Sequence, residues 1–96
     1  MSTVEICRNK LESNGWKVLR IIYERPKSGF KCIEGGFFCE LQSDENDYET
    51  LEKIPFDKNI FGSISGTGII MALYKNDFIK LVNKIPTKNK IKYSSI

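Results

Sequence analysis

The hydrophobic pattern of the chain is strongest around two adjacent glycines. Gly35 and Gly36 separate two short apolar runs in the sequence FKCIEGGFFCEL, residues 30–41. Because adjacent glycines accept the positive φ angles of a type I′ turn, this pattern predicts a β-hairpin with a tight turn. The predicted register places Lys31 opposite Glu40, which is an attractive cross-strand pair. One face of the hairpin is apolar and is predicted to face the core: Phe30, Cys32, Phe37, Cys39 and Leu41.

The residues before the hairpin predict a helix followed by a strand. Ser2 and Glu5 have the spacing of a capping box, and Gly15 stands where a left-handed cap would end a helix over residues 2–14. Residues 16–24, WKVLRIIYE, are rich in the β-branched and aromatic side chains typical of a strand. Neither alternating set is wholly polar, which predicts a strand interior to the sheet. The two predicted faces are Lys17, Leu19, Ile21 and Tyr23 on one side and Trp16, Val18, Arg20 and Ile22 on the other.

The segment after the hairpin changes character and becomes acidic. It predicts a short helix over residues 46–53, which Pro55 would end. Residues 57–68 contain glycines among small polar side chains and predict a loop. The tail, residues 87–96, is basic, and the alternation in it favours an edge strand on which lysines discourage unwanted pairing.

Residues 69–85 have a pattern that fits two structures. Seven apolar residues form one helical stripe, with Thr67 as a cap and Pro86 as the end, and this favours a single helix. The alternative interpretation makes residues 68–74 a strand and starts a helix at Asn76, because periodicity does not distinguish a short apolar strand from a buried helix.

Length and composition predict one small α+β domain. The 96 residues have room for a single modest core, and 41% of them are hydrophobic. We predict an antiparallel sheet of three or more strands with two main helices packed on one face. The longest apolar run, residues 68–74, is far shorter than a membrane span, so no membrane partner is expected. The N-terminus has no apolar signal segment, and a cytoplasmic location is expected.

The titratable side chains argue against an enzyme. The chain has no histidine, the residue most often used as a general base near neutral pH and the commonest metal ligand. Its three cysteines, Cys7, Cys32 and Cys39, have neither zinc-site spacing nor an even number, and we interpret them as reduced packing residues. We therefore predict no catalytic residue, no metal site and no cofactor.

The distribution of charge predicts a binding function. Five acids fall close together after the hairpin and form a candidate surface for docking on a basic partner: Asp44, Glu45, Asp47, Glu49 and Glu52. A protein or a nucleoprotein complex would be the partner. We predict a small intracellular inhibitor, immunity or regulatory protein, and the frequent isoleucine, lysine and asparagine suggest a phage or mobile element as the type of source.

The alternative function is that of a nucleic-acid-binding module. Basic and aromatic side chains alternate through the predicted strands, as they do on sheets that stack bases within a positive surface. The candidate residues for this surface are Trp16, Lys17, Arg20, Arg25, Lys27, Phe30 and Lys31. The net charge of +3 is small for this role, so electrostatic docking through the acids is the preferred prediction.

Overall fold

The fold is a four-stranded antiparallel sheet with helices packed against it. The computed structural model describes residues 1–25 and 35–88. The elements along the chain are α1 (Thr3–Ser13), β1 (Val18–Glu24), β2 (Gly36–Leu41), α2 (Glu45–Glu52), β3 (Gly62–Ile64), β4 (Ile69–Ala72) and α3 (Lys75–Lys84). The strands lie in the order β1-β2-β4-β3, and the predicted α+β class, with α1 and α3 packed on one face, is confirmed.

The first two helices begin at capping boxes. The Ser2 hydroxyl accepts from the Glu5 backbone N–H at 3.1 Å, and the Glu5 carboxylate accepts from the Ser2 N–H at 3.3 Å. Gly15 follows α1 with a φ of 92°, so the predicted helix and its left-handed cap are confirmed. At α2, Asp44 and Asp47 bond each other's backbone N–H groups in the same way. Both helices therefore begin where local side chains satisfy their free backbone donors.

A β-bulge in β1 changes which side chains face the core. The pairing with β2 passes directly from Val18 to Arg20, so Leu19 is an extra residue on this strand. Val18 and Ile21 are consequently both buried, and the predicted strict alternation, which set them on opposite faces, is wrong. The prediction set β1 in the interior of the sheet, whereas among the strands formed by residues 1–25 and 35–88 it lies at an edge.

Strand β2 is paired on both sides, which rules out the predicted hairpin partner. Residues 30–34, the predicted first strand of the hairpin, lie outside the described residues. The hairpin pairing predicted for residues 37–41 is wrong, because β1 and β4 occupy both hydrogen-bonding edges of β2. The core face predicted for β2 is confirmed, since Phe37, Cys39 and Leu41 are all buried.

Residues 69–85 form a strand and then a helix. The preferred single helix is wrong, and the alternative interpretation is confirmed by β4 and α3. Tyr74 separates them with extended backbone angles, φ −108° and ψ 147°. The predicted loop over residues 57–68 likewise contains β3, which pairs with β4 through the turn that Gly68 closes at a φ of 95°. Residues 69–72 form a strand because they fill the position between β2 and β3 in the sheet.

The core lies between the sheet and the helices α1 and α3. Phe78 of α3 is fully buried and stacks on Phe37 of β2 with ring centroids 5.0 Å apart. Trp16 is buried after α1 and donates its indole N–H to the carbonyl of Pro86 at 2.8 Å. This bond ties the residues that follow α3 to the end of α1. The side chains with almost no exposed surface include Leu11, Leu41, Leu51, Ile70, Phe78 and Val82.

Candidate functional site

Helix α2 turns three of the predicted docking acids outward along one stripe. Glu45, Glu49 and Glu52 are exposed and stand at the i, i+4 and i+7 positions of the helix. We call these three residues the acidic stripe. None of them has a cationic partner within salt-bridge distance among the residues that the structure describes. Within that part of the chain, the stripe presents its negative charge to solvent without a neutralising cation.

The other two acids of the predicted docking set organise the start of α2. Asp47 is only 4% exposed, accepts from the Asp44 backbone N–H at 3.0 Å and forms an ion pair with Lys88. The Lys88 ammonium also lies 4.9 Å from the centroid of the Trp16 ring. Asp47 thus faces inward and is removed from the surface on which the sequence pattern had placed it. We call the contact of Asp47 and Lys88 beside Trp16 the Lys88 latch.

Asp44 remains exposed at the beginning of the acidic stripe. Its carboxylate accepts from the Asp47 backbone N–H at 2.9 Å. This hydrogen bond, with smaller contributions that include the Lys88 charge, lowers the pKa of Asp44. Asp44 is consequently ionised at neutral pH and extends the negative surface by one residue.

Tyr48 completes the surface of α2 and was not predicted. Its ring is half exposed and covers Gly66, where an added Cβ would lie 2.5 Å from ring carbons. The Ser43 hydroxyl donates to the Thr67 carbonyl at 3.1 Å and fixes the same end of the helix to the β3–β4 turn. The signal in the sequence was the spacing of Tyr48, three residues after Glu45, which sets an aromatic ring beside the acids.

The predicted basic and aromatic set is only partly brought together. Trp16 is buried and its ring is not available to stack on a base. Lys17, Arg20 and Arg25 are exposed, and the Arg20 guanidinium lies 5.0 Å from the centroid of the Phe38 ring. The remaining candidates, Lys27, Phe30 and Lys31, lie outside the described residues.

The sheet face opposite the core is a second candidate surface. Ile22, Phe38 and Met71 are aligned across β1, β2 and β4 by the strand register. Ile22 is 43% exposed and Met71 45% exposed, and they line an open groove of about 490 Å³. We call this surface the open face. The sequence pattern missed it because Met71 was assigned to a helix and the bulge changed the phase of β1.

The charges on the open face are mixed. Arg20 and Glu24 lie on β1 on either side of Ile22, and all three line the groove. Glu40 of β2 pairs with Arg20 in the strand register and shares its row. Among the described residues, the two carboxylates offset the guanidinium, so these charges do not create the positive potential that binding a phosphate backbone requires.

The buried cysteines are not poised for nucleophilic chemistry. Burial raises the pKa of the Cys7 thiol, and burial together with the neighbouring Cys7 raises the pKa of Cys39 to about 12. A thiol with a raised pKa is protonated at neutral pH and is a weak nucleophile. Cys32 lies outside the described residues.

Two further properties concern chemistry and membranes. Across residues 1–25 and 35–88, no three histidine, cysteine or acidic side chains are grouped so that they could hold a metal ion. No helix in that part of the chain combines the length and the apolar character needed to cross a membrane.

Comparison of the chain with protein-family models, with curated proteins and with solved structures finds no match.

Proposed function

We propose that this protein is a non-catalytic binding protein that docks through the acidic stripe on a basic site of a protein or nucleoprotein complex. The observation that carries the proposal is the division of acids in α2. Asp44 and Asp47 hold the helix in place, whereas Glu45, Glu49 and Glu52 are exposed and have no salt-bridge partner among residues 1–25 and 35–88. A small inhibitor, immunity or regulatory protein acting in the cytoplasm would use such a surface.

The geometry of the stripe suits recognition of a row of cations. Glu45 and Glu52 are seven residues apart, which corresponds to about 10 Å along a helix that rises about 1.5 Å per residue. The capping box, the Lys88 latch and the contact of Tyr48 with Gly66 hold the helix against the domain. The carboxylates are thus pre-positioned, and little backbone ordering is needed on binding. Tyr48 would supply the aromatic contact that often anchors such interfaces.

The alternative of nucleic-acid binding has one supporting observation. Arg20 and Phe38 together offer a cation and an aromatic ring on an exposed sheet. The burial of Trp16 and the carboxylates of Glu24 and Glu40 count against it. Docking through the acidic stripe is therefore the better-supported function.

The test first recovers a partner and then measures its association. Immobilised protein would be used to capture partners from a lysate of the native host, with and without nuclease treatment. The purified partner would then be bound by the double variant Glu45→Gln/Glu49→Gln at two ionic strengths. We expect the association rate to fall about tenfold and its salt dependence to flatten. Exposed charges at the edge of an interface mainly change the rate at which the two partners meet.

A matched control separates the stripe from net charge. The double variant Glu12→Gln/Asp77→Asn also removes two negative charges, one from α1 and one from α3. It should associate at nearly the wild-type rate. Equal slowing by both variants would assign the effect to overall charge and contradict the proposal. A nuclease-sensitive association that the α2 variant strengthens would instead establish the nucleic-acid alternative.

A further inference from the structure

We propose that the open face is the interface of a symmetric homodimer. The face carries an apolar row in strand register, Ile22, Phe38 and Met71, on the side of the sheet that α1 and α3 do not cover. Ile22 and Met71 are nearly half exposed. Two-layer packing of sheets buries such rows, because an antiparallel sheet with two apolar faces needs cover on both.

The charges that flank the row identify the occupant as a second copy. Arg20 precedes Ile22 by two residues and Glu24 follows it by two, so the three side chains share one face of β1. At about 3.3 Å per residue, the Cα atoms of Arg20 and Glu24 lie about 7 Å to either side of that of Ile22. Within the described part of the chain, neither charge has a salt-bridge partner. One strand thus offers a cation and an anion that are equally spaced about its apolar centre.

A two-fold axis along the apolar row makes this arrangement self-complementary. Rotation about that axis reverses the strand direction and places β1 of one copy over β1 of the other, with each apolar residue facing its own equivalent. Arg20 then faces Glu24 of the second copy, and Glu24 faces its Arg20. Packed sheets lie about 10 Å apart, a distance that Arg and Glu side chains span together.

Other axes match the charges less well. A two-fold axis along β1 would set Arg20 against Arg20, and an axis along β2 would set it against the apolar Ile69. In the proposed dimer Glu40 faces Gly36 of the second copy, where no side chain competes for space. The strand register therefore favours one dimer geometry.

The mass of the full chain in solution tests the proposal. Analytical ultracentrifugation from about 1 to about 100 µM should show a monomer–dimer equilibrium. The variant Met71→Arg should raise the dimer dissociation constant at least tenfold, because it buries a charge against its own equivalent. The control Phe56→Arg changes an exposed aromatic residue outside the open face and should leave the constant unchanged. A chain that remains monomeric throughout would overturn the proposal.

Charge reversal tests the axis itself. The single variants Arg20→Glu and Glu24→Arg should each weaken self-association about tenfold or more, since both reciprocal pairs become repulsive. An equimolar mixture of the two variants should form heterodimers, because every pair is then attractive. The double variant Arg20→Glu/Glu24→Arg should also self-associate as the wild type does, because both of its reciprocal pairs are attractive. Circular dichroism would confirm that each variant is folded. Self-association insensitive to Glu24→Arg, or a mixture without heterodimers, would refute the proposed axis.

Discussion

The Lys88 latch should contribute measurably to stability, and Asp47→Asn is the change that isolates its charge. Asparagine keeps an oxygen that can accept from the Asp44 backbone N–H, so the capping bond of 3.0 Å need not be lost. The ion pair with Lys88 is lost, while the ammonium keeps its contact with the Trp16 ring and its attraction to the nearby Asp44 carboxylate. Lys88 is also anchored by its backbone N–H, which donates to the Asn14 carbonyl at 2.8 Å.

The magnitude follows from the burial of the two partners. Breaking a fully buried pair costs about 3–5 kcal/mol, but the Lys88 side chain is 26% exposed and can turn towards water. We therefore expect Asp47→Asn to lower the free energy of unfolding by about 2 kcal/mol, or the melting midpoint by about 10 °C. The matched control Glu49→Gln neutralises an exposed acid of the same helix and should change the free energy by less than about 0.5 kcal/mol.

Urea unfolding of the two variants and of Lys88→Met provides the assay. In a double-mutant cycle, Asp47→Asn and Lys88→Met should couple by about 1.5 kcal/mol, because each removes the same contact. A loss for Asp47→Asn no larger than that for Glu49→Gln would refute the reasoning. So would additive effects of the two latch variants, since they would show that the contact carries no energy of its own.

Two further changes test the sheet and its core. Gly36→Ala should lower the free energy of unfolding by about 2 kcal/mol, because Gly36 has a φ of 104° and an added Cβ would lie 2.8 Å from the Ala72 carbonyl oxygen; an unchanged urea midpoint would contradict this. Burial raises the pKa of Cys39 to about 12 from its ordinary 9.0, so its contribution to stability is complete below about pH 9 and is lost as the pH rises towards about 12. Between about pH 8 and pH 10, the wild type should lose unfolding free energy more steeply than Cys39→Ala, by up to about 1.4 kcal/mol per pH unit. Equal slopes would show that this thiol is not desolvated.

The two helices at the beginning and middle of the chain were determined by local sequence. Their capping boxes join residues three apart, so the bonds that start α1 and α2 require no tertiary contact. The alternation of apolar side chains along residues 37–41 likewise predicted the burial of Phe37 and Cys39. At these positions, the hydrophobic period and the spacing of the capping residues were enough to predict the local structure.

The strands and both candidate surfaces were decided by tertiary structure. Residues 69–72 fit the helical stripe predicted over residues 69–85, yet they form a strand because β2 and β3 supply hydrogen-bond partners on both sides. Asp47 is buried because it forms an ion pair with Lys88, which lies 41 residues later in the chain. The open face exists only because three distant strands and one bulge bring Ile22, Phe38 and Met71 into register. A sequence read locally contains the residues of such a surface, but strand pairing determines which of them lie together.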